Sequence, residues 1–198
     1  MPFTMYESID SLLDTYFEQL RQQLRTPAGL NPAQSDPIFY LIFSNKQALT
    51  VRKLLPGWVA RLQSDGWNVH QLSLGKLIWE MVDGSGHWDE WLELEGDADP
   101  EAINAAVSNV LRTNNALVNR VAEFVTTEKE NSLVLVTDIE LLHPFFRLRS
   151  IENFLNNKVR VPTVFLYPGR RAGQYGLHFL EFYPEDSGYR SPMFGGLE

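Results

Sequence analysis

The sequence predicts an α/β fold, a three-layer sandwich around a mostly parallel central sheet, with an N-terminal helix and a C-terminal antiparallel strand. Three observations predict it. Ile38 to Phe43 (IFYLIF), Ser132 to Thr137 (SLVLVT) and Pro162 to Tyr167 (PTVFLY) are continuous apolar runs of strand-forming residues. Runs apolar on both faces belong to a sheet covered on both sides. Between the last two runs Ile151, Phe154 and Leu155 recur at helical spacing, which makes a strand, helix, strand unit over 132–171.

Residues 4–26 form an amphipathic helix, with Ile9, Leu12, Leu13, Tyr16, Phe17, Leu20 and Leu24 on one stripe. Residues 27–37 carry prolines and a glycine and read as a linker into the first strand. After that strand come a polar turn, a helix of about 20 residues by its apolar period, and a second strand from Asn68 to Leu74. Pro56-Gly57 should kink or split the helix. Gly75 to Glu95 holds helical segments interrupted by DGSG, with three tryptophans in thirteen residues. Asp99 caps a long helix begun by Pro100 and running to about Thr126. Leu177 to Phe182 (LHFLEF) reads as a strand antiparallel to its predecessor, and the rest as a turn and tail. Four or five strands and a single domain over 1–198 are expected.

Composition excludes several kinds of chemistry. The chain has 198 residues, 44% of them hydrophobic, and no cysteine, so thiol catalysis, disulfides and zinc-thiolate sites are out. His70, His87, His143 and His178 show no ligand spacing, and no metal or cofactor is expected. No apolar run is long enough to span a membrane, and the N-terminus has acids where a signal peptide would be basic, so a cytoplasmic location is expected. The net charge of −8 argues against direct nucleic-acid binding. The charge is also uneven. Residues 1–144 hold 10 basic and 20 acidic side chains, whereas 145–198 hold 7 and 5. Residues 80–101 contain nine acids and no Lys or Arg, an asymmetry that suits a protein partner of complementary charge or simply keeps the surface solvated.

In a parallel α/β sheet ligands gather at the carboxyl ends of the strands, which places Asp138 and Glu140 at a candidate position. LVLVTDIE resembles the metal-holding strand end of ATPases, and the layout is that of P-loop and Rossmann-like proteins. The phosphate-binding loop is missing. The turn after the first strand reads Ser44-Asn45-Lys46-Gln47-Ala48, without the glycines that would wrap backbone N–H groups around a phosphate. Asp138 is equally well read as a cap, with Glu140 exposed. No GxSxG elbow is present. The remaining candidates are partner-binding ones: Trp88 and Trp91, which fill the core or form an interface, the adjacent Arg170 and Arg171, suited to bidentate grip on acids, and Tyr189 with Arg190.

At these residues the chain resembles a known family. VRVPTVFLYPGRR after HPFFRLRSIENFLNNK, then YGLHFLEFYPEDSGYR, is similar to the BrxB family of bacterial BREX phage-defence systems, and YLIFSNKQALTVRKLLPGWVARL with the Trp-rich acidic stretch extends the resemblance over nearly the whole chain. The resemblance implies a small component of a multi-protein defence complex that acts beside a DNA methyltransferase, an ATPase and the alkaline-phosphatase-like protein PglZ. It implies no catalytic residues. The expectation is a non-enzymatic assembly subunit that binds a larger BREX protein, PglZ foremost; the alternative is a degenerate ATPase-like module that senses nucleotide or nucleic acid.

Overall fold

The computed structural model describes residues 5–26, 36–94, 99–127 and 130–197. Its helices are α1 (Met5–Leu24), α2 (Ala48–Ser64), α3 (Leu74–Asp83), α4 (Trp88–Leu94), α5 (Pro100–Arg112), α6 (Ala116–Val125) and α7 (Leu148–Leu155). Its strands are β1 (Ile38–Phe43), β2 (Asn68–Ser73), β3 (Ser132–Thr137), β4 (Thr163–Ala172), β5 (Gly176–Phe179), β6 (Glu185–Ser187) and β7 (Met193–Gly195). Most of the predicted linker lies outside the described residues.

The mostly parallel α/β sheet is as predicted. Its main path runs β2-β3-β4-β1-β7, every pair parallel, and β5 and β6 extend β4 as an antiparallel hairpin. Alternation along the strands builds two cores. Tyr40, Ile42, Val134, Val136, Phe165 and Tyr167 face α3, α5, α6 and α7. Their neighbours Phe39, Leu41, Leu133, Leu135, Val164 and Leu166 face α1 and α2. That is why all six residues of β1 and all six of β3 are buried. On α1 the predicted stripe docks through Leu13, Phe17, Leu20 and Leu24, whereas Leu12 is 43% exposed.

Several elements differ from expectation, each for a physical reason. The helix after β1 is preceded by a single 3₁₀ turn at Asn45–Gln47 and then runs unbroken through Pro56. Pro56 lies on the exposed side, and Val51, Trp58 and Leu62 anchor both halves, so the expected split does not occur. The helix starting at Pro100, capped by Asp99 as predicted, is divided after Arg112. Asn114 and Asn115 adopt left-handed backbone (φ 54° and 56°), a conformation asparagine tolerates, and this re-aims Leu117, Val118, Val121 and Val125 at the core.

The C-terminal third departs most. Pro168-Gly169 is not a turn: β4 continues to Ala172. Proline lacks an N–H and sits at the last register position of the ladder with β1. Gly169 then lets the His178 carbonyl approach where a Cβ would collide, so the strand leaves the parallel sheet and pairs with β5. β5 stops at Phe179 because Leu180 and Glu181 turn left-handed. The expected tail supplies two short strands, β6 and β7, and the sheet has seven strands instead of four or five.

Candidate functional site

At the carboxyl end of β3, Asp138 has left-handed backbone (φ 55°) and its side chain is engaged on several sides. Ser73 Oγ donates to it at 2.5 Å, Thr137 Oγ1 at 3.2 Å and Arg52 Nη2 at 3.2 Å. The same Arg52 nitrogen donates to Glu140 at 3.0 Å. The predicted pair of acids is therefore brought together, with a guanidinium shared between them. Ser73 in turn caps α3, accepting from the Lys76 N–H at 3.0 Å. The crevice beside these groups measures about 260 Å³ and is walled by Phe43, Val51, Leu55 and Leu166.

The chain leaves β1 toward the α1–α2 face and leaves β4 toward the other, so the crevice between these adjacent strands is where a fold of this kind would hold a phosphate. Here the protein fills the position itself. The Asn45 N–H, at the start of the turn leading into α2, donates to Glu181 Oε1 at 2.9 Å, and Asn45 Nδ2 donates to the Leu180 carbonyl at 2.5 Å. Hydrogen bonding by Ser44 first, then the Asn45 N–H and the charges of Lys46 and Arg170, hold the Glu181 carboxyl below its ordinary range. The cavity left is about 50 Å³, well under the few hundred Å³ of ordinary ligand pockets.

Arg170 is exposed beside this cavity and Arg171 is half-buried. The Arg171 backbone N–H donates to the Gly196 carbonyl at 3.0 Å. The two arginines therefore differ in exposure, as alternation along β4 leads one to expect.

Tyr189 lies inside the protein, 3% exposed, edge-on to Tyr40 and beneath the Arg149 guanidinium. Beside it a cavity of about 480 Å³ opens near the start of β1, with Arg149, Glu152 and the exposed Arg190 on its walls. Burial first, then the charge of Asp186, pushes the Glu152 carboxyl well above its ordinary 4.5. Burial likewise raises the Tyr167 and Tyr189 hydroxyls.

The predicted tryptophans form part of a larger ledge. Trp91 is half-buried against the α3–α7 core, and Trp88 is 38% exposed. Sequence reasoning did not single out Trp79, which is 59% exposed and meets Trp88 edge to face at 5.6 Å. A signal was there: Leu74, Leu77, Ile78 and Val82 are the buried stripe of α3, and Trp79 lies off it. Trp88 and Trp91 meet at 6.5 Å, and His87 stacks on Trp91 at 6.1 Å.

Among the described residues no cluster of three or more His, Asp or Glu could hold a metal ion, and no helix is long and apolar enough to cross a membrane. No curated protein and no solved structure matches the chain. The model of the family described as BREX protein BrxB matches residues 70–193. That span runs from β2 to the start of β7, taking in the strand-end acids, the aromatic ledge and the C-terminal hairpin, while the N-terminal part of the resemblance lies outside it. Because the match covers more than half of the chain, the protein belongs to the BrxB family and is a component of a BREX system.

Proposed function

We propose that the protein is a non-enzymatic assembly subunit of a BREX anti-phage complex and that PglZ is its partner. One observation carries the reading: the Glu181 carboxylate sits on the Asn45 N–H, at the crevice where this fold would hold a phosphate. Asp138 and Glu140 are likewise spent on Arg52, Ser73 and Thr137, which ties β3 to α2 and α3. Strand-end polar groups used in this way hold the scaffold together and leave its outer surfaces for contact. Exposed Trp79, Trp88, Arg170 and Arg190 supply the aromatic and arginine side chains that dominate many interfaces.

The test is co-purification of the tagged full chain with PglZ, beside nucleotide and DNA titrations and an ATP-turnover assay. Retention of PglZ without turnover is expected. ATP hydrolysis that disappears in Asp138→Asn or Lys46→Ala would overturn the reading in favour of an ATPase-like module.

A further inference from the structure

We propose that the ledge of Trp79, Trp88 and Leu92 is the docking site for a cationic, amphipathic segment of a partner protein, Lys/Arg-rich on one side and apolar on the other. This rests on the assembly reading and names the chemistry of the contact. Trp79, Trp88 and Leu92 are 59%, 38% and 51% exposed. They lie on α3 and α4, and Trp91, packed on the core, holds α4 in place beneath them. The rings are in edge-to-face contact with one another, so the ledge is preformed and binding orders little that is loose.

Charge selects the occupant. No lysine or arginine occurs between Lys76 and Arg112, and nine acids do. Glu80, Asp83, Asp89, Glu90 and Glu93 are exposed on the two helices that carry the ledge. Lys76 is the one basic residue on these two helices, against five exposed acids, and Arg120 of α6 is already engaged with Glu80 at 3.9 Å and Glu123 at 3.7 Å. An aromatic ledge can bind nucleotides or phospholipids, but both carry phosphates that this rim repels. A second copy of the chain paired through the same ledge by two-fold symmetry would bring the same acids against themselves. A partner's Lys or Arg satisfies the rim and also meets tryptophan faces favourably, while its apolar side covers Leu92 and the rings.

The experiment uses the full chain and two fluorescently labelled 16-residue amphipathic peptides, identical in their leucine face, one with a lysine and one with a glutamate polar face. Anisotropy should show binding of the lysine peptide alone, weakened by raising salt from 50 to 500 mM. Trp79→Ala should weaken it at least about tenfold, as expected of an interface anchor. The double charge reversal Asp89→Lys with Glu93→Lys, which leaves every ring in place, should abolish it. Equal binding of both peptides, or lysine-peptide binding unchanged in both variants, overturns the proposal, as does dimerisation of the parent that Trp79→Ala removes. Co-purification separates this failure from that of the assembly reading. PglZ retained in full by both variants sinks the docking site alone, whereas PglZ not retained by the parent chain sinks the reading beneath it.

Discussion

Trp58 and Trp79 are both tryptophans on amphipathic helices, yet one is 1% exposed and the other 59%. Trp58 of α2 stacks on Phe17 of α1 at 4.9 Å, and its Nε1–H donates to Asp14 at 2.6 Å. Around it the face is closed by ion pairs. Arg61 bonds Asp14 and Glu18, and Arg21 and Arg25 both bond Asp65, which is 8% exposed. On the other side of the sheet Trp79 of α3 meets Trp88 of α4, and the acids around it have few cations to meet. A large ring is finished inside the molecule where the chain supplies both a polar partner for its N–H and opposite charges to seal the rim. Where the rim is mostly acidic and carries few cations, as around Trp79, the ring remains exposed.

The comparison can be broken most severely at its buried end. Trp58→Ala should cost about 3 to 5 kcal/mol, by lost burial and the cavity left behind, read as a shift in the urea midpoint. If it costs less than Trp79→Ala, the α1–α2 face is not the closed one.

Acid should open the same face. Hydrogen bonds from Arg21 and then Arg25 hold the Asp65 carboxyl, ordinarily near 3.8, at about 2. The unfolded chain therefore takes up that proton first, so the stability this carboxylate contributes is whole above about pH 4 and is lost as pH falls toward 2. In Asp65→Asn this part of the acid dependence should vanish, which urea melts between pH 5 and 2 would show.

The α7 side should respond with the opposite sign. The folded-state value of Glu152 is raised, so its contribution is whole below about 4.5 and is lost as pH rises through that folded value. Glu152→Gln keeps the group neutral and should flatten the decline toward alkaline pH. A variant that follows the parent's pH profile would place an ionised carboxylate there instead.

The smallest effects belong to the exposed and strand-end groups. Asp138→Asn should cost about 1 kcal/mol through its weakened contacts and change no enzymatic readout of the purified protein. Trp79→Ala should leave stability within about 0.5 kcal/mol of the parent, since surface substitutions rarely do more. A larger loss in thermal melts would mean that the ring supports the fold as well as facing outward.

Much of the sheet was legible because its strands are apolar on both faces: IFYLIF and SLVLVT are β1 and β3 to the residue. The tail was not legible, since β6 and β7 have three residues each and owe their form to the strands they join. The break at Asn114-Asn115 was hidden by an apolar period that continues across it. At the strand ends, Asp138 and Glu140 could be placed by position, but their partner Arg52 lies more than 80 residues away. Glu181 reaches Asn45 across 136 residues, and no local pattern announces a contact of that kind. Trp79 was legible in principle, as a large ring off its helix's buried stripe.

The seating of Glu181 on the Asn45 N–H has a consequence for anyone who would re-engineer this scaffold. Grafting a glycine-rich loop onto 44–48 supplies donors for an incoming phosphate, but the resident carboxylate, tethered beside them, competes for the Asn45 N–H. Gain of nucleotide affinity therefore requires two changes, the loop and the removal of the acid at 181. With the acid in place the loop alone meets an occupied donor and gains little, so the order of the two changes matters.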